Sequence, residues 1–232
     1  MPKRPVLFLD DGGVMNDNRL RGPQWRALLG PFMQERYGGD AEAWSAINPG
    51  ALKTAWEAVI GRVRTYRTQA EFHRDYSVLW THGMFAGMGM TPPPDDECER
   101  LVEESSLYVL GQISADIPGA VDAIRSLDAA GFVLHTASGT LSSQLEAILR
   151  QMQVRESFGT LYGPDLIDYP KGGPEYYRRI FSDASIDPSQ AIVIESDAGA
   201  CARAKAAGVR AILVDVERGG QTLASVAGEL IS

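Results

Sequence analysis

The chain has 232 residues, 44% of them hydrophobic, enough to bury a substantial core without covalent staples. Its 30 acidic against 22 basic side chains leave a net charge of −8, which argues against general affinity for nucleic acid or an anionic membrane but leaves a small anionic substrate open. Cys98 and Cys201 stand far apart and read as reduced thiols, and no apolar stretch has the length of a membrane span; a cytoplasmic monomer or homodimer is expected.

The first element is Val6–Leu9, an unbroken apolar run that suits a strand covered on both faces. Residues 17–107 then carry all four tryptophans (Trp25, Trp44, Trp56 and Trp80) and pattern as successive helices. Pro23 and Pro94 mark helix starts, and Asp95, Asp96 and Glu97 suit the positive end of the second of these. Arg62, Arg64 and Arg67 form the densest basic cluster, which reads as a solvated face. "GMGMTPPP" at 87–94 is a turn and hinge.

From about 117 the pattern changes. Val121, Ile124 and Leu127 fall at helical spacing in 119–130, stopped by Gly131. Apolar runs at 132–135, 191–194 and 211–214 alternate with helical patterns in 139–152 and 198–208. Alternation of this kind implies a parallel sheet with helices on both faces. The expected architecture is therefore α/β: a Rossmann-like three-layer core built from 1–16 and 108–232, with a helical cap at 17–107 closing over Asp10.

In an open parallel sheet, ligands bind outside the carboxyl ends of the strands. That rule selects Asp10 and Asp11 after the first strand, Thr136, Ala137 and Ser138 after the second, and Glu195 to Asp197 after the run at 191–194. Lys171 lies in "DYPKGGPEYY", a loop leading into a helix near Pro174. An aspartate carboxylate can attack phosphorus or an activated carbon and split one displacement into two easier ones. A buried lysine would screen its repulsion from an anionic substrate. Ser138 also suits a helix cap.

Taken in order, "LDDGGV", "VLHTAS", "KGGPEYY" and "IVIESDAGACARAKAAG" resemble the four motifs of the haloacid dehalogenase-like hydrolase superfamily. The resemblance implies that Asp10 is the nucleophile, with Gly13 and Val14 fixing the register and Asp11 as the intervening residue, its side chain turned away. It assigns Thr136 and Lys171 to catalysis, and contacts to substrate to Thr136, Ala137 and Ser138. It also implies Mg²⁺, held here by Asp10, the Gly12 carbonyl and Asp197, while Glu195 orients a neighbour.

Gly12 departs from the family pattern, which has a second aspartate there to protonate the leaving group and activate water. Four readings follow. The first is a phosphatase acting on a small phosphorylated metabolite whose leaving group needs little help or finds another proton donor. The second is a 2-haloacid dehalogenase, with Arg19 and Arg21 gripping the substrate carboxylate, although such enzymes carry an aromatic residue where Gly12 stands. A third is a phosphonoacetaldehyde hydrolase-like enzyme in which Lys53, the one lysine between 4 and 170, forms an imine. The fourth is a degenerate member that only binds a ligand or a partner protein.

Overall fold

A computed structural model describes residues 4–232, apart from the side chains of Arg64 and Glu217. The first strand, β1 (Val6–Leu9), is followed by four helices: α1 (Asn18–Tyr37), α2 (Ala41–Gly61), α3 (Gln69–Gly87) and α4 (Asp95–Leu110). Next come α5 (Ala120–Ala129), β2 (Leu134–Ala137), α6 (Ser142–Gln151), β3 (Phe158–Tyr162) and α7 (Pro174–Asp183). The chain ends with β4 (Ala191–Glu195), α8 (Ala198–Ala206), β5 (Arg210–Leu213) and α9 (Leu223–Ile231).

The strands form one parallel sheet in the order β3-β2-β1-β4-β5, so β1 is central, between β2 and β4. Its register sets Leu9 beside both Thr136 and Ile194, which delivers the residues after all three strands to one edge. Burial on both faces explains the continuous apolar runs: Leu7, Phe8, Leu9, Val193 and Ile194 are fully buried. Phe8 and Val193 pack with Tyr176, Tyr177, Ile180 and Phe181 of α7 and Ala204 of α8. α5 packs along α9.

The described residues divide into two compact units: the chain up to Arg21 together with Ser114–Ser232, and Gly22–Ile113. Residues 18–21, the first turn of α1, thus group with the sheet, and Arg21 is tied there by an ion pair to Asp11. The second unit is helical and has its own core around Trp44, Val59, Trp80 and Met84. Trp44 stacks edge-on against Phe85, and the Trp80 indole N–H donates to Asn48 Oδ1 at 2.9 Å. No helix of the described residues is long and apolar enough to cross a membrane.

Two expectations are corrected. Pro23 lies inside α1 and does not start it; the start is set by Asp17, whose carboxylate accepts from the Arg19 N–H at 2.8 Å. The second strand begins at Leu134, because Phe132 is used to close α5: its N–H donates to the Leu127 carbonyl at 3.1 Å past Gly131, which sits at φ 83°. β3 was not foreseen. It is a short edge strand broken by Gly159, where an added Cβ would lie 2.9 Å from the His135 ring, so the side-chain alternation that signals a strand is missing.

Candidate active site

Asp10 leaves the end of β1 with its N–H donating to the Ile194 carbonyl at 3.0 Å, which fixes its backbone against β4. Lys171 Nζ lies 2.9 Å from Asp10 Oδ1 and 2.7 Å from Glu195 Oε1, and donates to the Ala137 carbonyl at 2.9 Å. Three acceptors match the three protons of an ammonium. Residues from the ends of β1, β2 and β4 are thus gathered by one side chain from the loop before α7.

The electrostatics follow from that packing. Burial alone would pull the Lys171 pKa down, but the Asp10 and Glu195 carboxylates outweigh it and the net shift is upward. Glu195 is fully buried. Its burial, then the Asp10 charge, push its carboxyl up to about 7, against the opposing pull of Lys171 and of the Tyr177 hydroxyl, which donates to Oε1 at 2.8 Å. Burial, then Glu195, in turn holds the Tyr177 hydroxyl far above its ordinary range, so it stays a donor.

A stability consequence can be measured. Because the folded Glu195 carboxyl titrates near 7 and its ordinary value is 4.5, the folded chain binds an extra proton between those values. Its contribution to stability is complete below about 4.5 and is lost as the pH rises through about 7. In metal-free protein, Glu195→Gln is expected to flatten this fall, seen as a Tm difference of a few degrees that opens across the window. Parallel pH profiles for the two proteins would count against the assignment.

Asp11 has a different environment. Its carboxylate is fully buried, accepts from Asn16 Nδ2 at 2.8 Å and meets the Arg21 guanidinium at 2.9 Å. Its carbonyl accepts from the N–H groups of Met15 and Asn16, so Asp11 ties down the turn that carries the motif. Gly13 has φ 79°, and an added Cβ would lie 2.6 Å from Ser196 Cβ and Oγ. Gly13→Ala is therefore expected to destabilise the fold by at least about 1–3 kcal/mol, measured by urea unfolding.

The other expected site residues are placed as follows. Thr136, Ala137 and Ser138 are all buried. The Thr136 hydroxyl donates to the Tyr162 carbonyl at 3.2 Å, Ala137 supplies its carbonyl to Lys171, and the Ser138 carbonyl accepts from the Tyr176 hydroxyl at 2.6 Å. These contacts tie Thr136 to β3, Ala137 to Lys171 and Ser138 to α7. Arg19 is bound to Asp17, whose carboxyl it holds down at about 2. Arg21 pairs with Asp11 through its terminal NH2 group, while its Nε is buried without a hydrogen-bond partner among the described residues. Lys53, in the second unit, is 75% exposed and leans toward Glu57 at 3.9 Å, not in the dry pocket an imine-forming lysine needs.

Asp197, expected as a metal ligand, stands at the start of α8. It is the N-cap of α8, accepting from the Ala200 N–H at 2.6 Å, and its side chain is 67% exposed. Glu195 offers a further donor: Oε2 is buried without a hydrogen-bond partner among the described residues. The Gly12 carbonyl accepts from Ser196 Oγ at 2.7 Å and keeps a second lone pair. Asp10, Glu195 and the Gly12 carbonyl are all hard oxygen donors, so this revised set fits Mg²⁺. Sequence reasoning gave Glu195 too small a part and missed Tyr177; the two tyrosines after Lys171 in "KGGPEYY" were the available signal.

Fold and site describe an α/β protein with one lysine bridging two carboxylates at the carboxyl edge of its sheet. Residues 57–214 match the family model of haloacid dehalogenase-like hydrolases, and the chain belongs to that family. The match begins beyond Asp10, so the reading of β1 rests on geometry. Hexitol phosphatase B of Escherichia coli K12 is 26% identical over 123 residues, so the alignment spans about half of each protein (53% and 55%). In fold, the chain is similar to the defluorinating L-2-haloacid dehalogenase Rha0230 (TM-score 0.68, 14% identity, all of both chains). It is also similar to the HAD-hydrolase YfnB of Bacillus subtilis bound to magnesium (TM-score 0.62, 16% identity, 91% of this chain and 89% of that one).

Proposed function

We propose that the protein is a phosphatase that releases phosphate from a small phosphorylated metabolite through a covalent intermediate on Asp10. The observation that carries this is the clamp of Lys171 Nζ on Asp10 Oδ1 at 2.9 Å, which fixes one carboxylate oxygen and leaves the other to attack. The attack forms an oxygen–phosphorus bond to Asp10 and breaks the ester or anhydride bond to the leaving group. Water then attacks phosphorus and breaks the bond to Asp10, so that the carboxylate is restored and inorganic phosphate leaves with the oxygen and protons of that water. Lys171 offsets the charge of Asp10 as the anionic substrate approaches, in a buried site where that term is large. Mg²⁺, held by Asp10, Glu195 and the Gly12 carbonyl, would supply Lewis-acid stabilisation of the phosphoryl oxygens.

Gly12 offers no proton, so substrates with good leaving groups should be favoured over simple alkyl phosphates. A halide also leaves without a proton, which keeps 2-haloacid cleavage as the second reading; against it, the arginines that would grip the acid are both held by aspartates. The test is a panel of acetyl phosphate, p-nitrophenyl phosphate, sugar and hexitol phosphates, 2-haloacids and phosphonoacetaldehyde, each with Mg²⁺ or with EDTA. Mg²⁺-dependent phosphate release is expected. Halide release, or borohydride trapping of the aldehyde on Lys53, would replace the proposal, and inactivity with tight binding of a phosphorylated ligand would make the protein a binder.

A further inference from the structure

We infer that the helical unit Gly22–Ile113 carries its own transition-metal site, formed by His82, Asp95 and Cys98 and suited to Zn²⁺. The three come from two helices: His82 from α3, and Asp95 and Cys98 one turn apart at the start of α4. One donor atom from each (imidazole nitrogen, carboxylate oxygen, thiol sulfur) lies within 4.8 Å of the others. The spacing of the cysteines in the sequence hides such a site, because the nearest partners of Cys98 belong to other residue types and partly to another helix.

Distances and chemistry agree. Tetrahedral Zn²⁺ with nitrogen and oxygen near 2.0–2.2 Å and sulfur near 2.3 Å needs donors roughly 3.3–3.7 Å apart, so small rotamer changes bring this set into range. His82 Nε2 is 3.0 Å from Asp95 Oδ1, yet Nε2 is buried and lacks hydrogen-bond geometry to any described group. Two donors that converge without a well-formed hydrogen bond are arranged as ligands of a common centre would be. A thiolate, an imidazole and a carboxylate form a borderline-soft set that selects Zn²⁺ over Mg²⁺.

The surroundings favour a cation. Cys98 is fully buried, and the three residues before it, Asp95, Asp96 and Glu97, are all acidic. A divalent ion would bind the thiolate and offset those three carboxylates. Three protein ligands leave a fourth position for water. Such an ion would pin α3 to the start of α4 across the Gly- and Pro-rich segment 88–94.

The full-length protein, stripped with EDTA, is titrated with Co²⁺ and then with Zn²⁺. One equivalent of the Co²⁺ bound is expected to show the visible bands of a tetrahedral ion and a thiolate-to-cobalt charge-transfer band, both removed by Zn²⁺, while Co²⁺ taken up by the oxygen donors around Asp10 gives no such charge-transfer band. Cys98→Ser should abolish the charge-transfer band, while Cys201→Ser should keep it. Loss of an outer-sphere partner alone costs 10–100-fold in affinity, so His82→Gln or Asp95→Asn should weaken binding by at least about 100-fold. His82 is partly exposed, so its variant tests the site even if Cys98→Ser fails to fold. Absence of the charge-transfer band in wild type, or binding unchanged in His82→Gln and Asp95→Asn, would overturn the inference.

Discussion

Asp10→Asn is expected to abolish turnover, with a loss of at least about 10⁴-fold, while the protein keeps or slightly gains stability. Lys171 sits between two carboxylates, 2.9 Å from Asp10 and 2.7 Å from Glu195, so the buried trio carries a net negative charge when both are ionised. Asparagine keeps nearly the same shape and removes one of those charges, which relieves repulsion on Glu195 and leaves Lys171 a partner. The nucleophile is lost; the packing is not. Equal or higher Tm together with loss of phosphate release in the variant, and a phosphorylated Asp10 peptide found in quenched wild-type reactions, would match this expectation. Wild-type turnover in the variant would show that the covalent step is assigned to the wrong residue.

Asp10 and Asp11 are told apart by their partners, which lie far away in sequence or outside the strand pattern. Adjacent carboxylates at a strand end are equivalent by composition, and alternation says only that they face opposite ways. One meets Lys171; the other is sealed by Arg21 and Asn16. The parallel sheet was legible because strands buried on both faces must be apolar throughout, as in Val6–Leu9 and Ala191–Glu195. The edge strand Phe158–Tyr162 was not legible, since Gly159 makes room for His135, a contact distant in sequence. Glu195 was underrated for a similar reason: its importance comes from burial beside Lys171 and Tyr177, which no local pattern reports. The capping of α8 by Asp197 was not legible either, because an exposed acid that starts a helix looks the same in sequence as a ligand.

Restoring a proton donor should separate the chemical readings most sharply. Gly12→Asp is expected to raise turnover of alkyl phosphates toward the 10²–10⁴-fold that general acid–base catalysis supplies, and to change aryl and acyl phosphates far less, since those leaving groups need little protonation. The backbone permits the change, because Gly12 is not among the positive-φ glycines. The obstacle is a side chain: an added Cβ would lie 2.8 Å from Asn18 Nδ2 and 3.0 Å from its Oδ1, the far end of an exposed residue that can swing away. Gly12→Asp is therefore best made alone and with Asn18→Ala, with Asn18→Ala by itself as the control. If the protein cleaved carbon–halogen or carbon–phosphorus bonds instead, the new carboxylate would add a second negative charge next to Asp10 and give no gain. Equal gains on good and poor leaving groups would show that position 12 does not govern proton transfer, and a loss on every phosphate substrate, with the fold intact by circular dichroism, would count against the phosphatase reading itself.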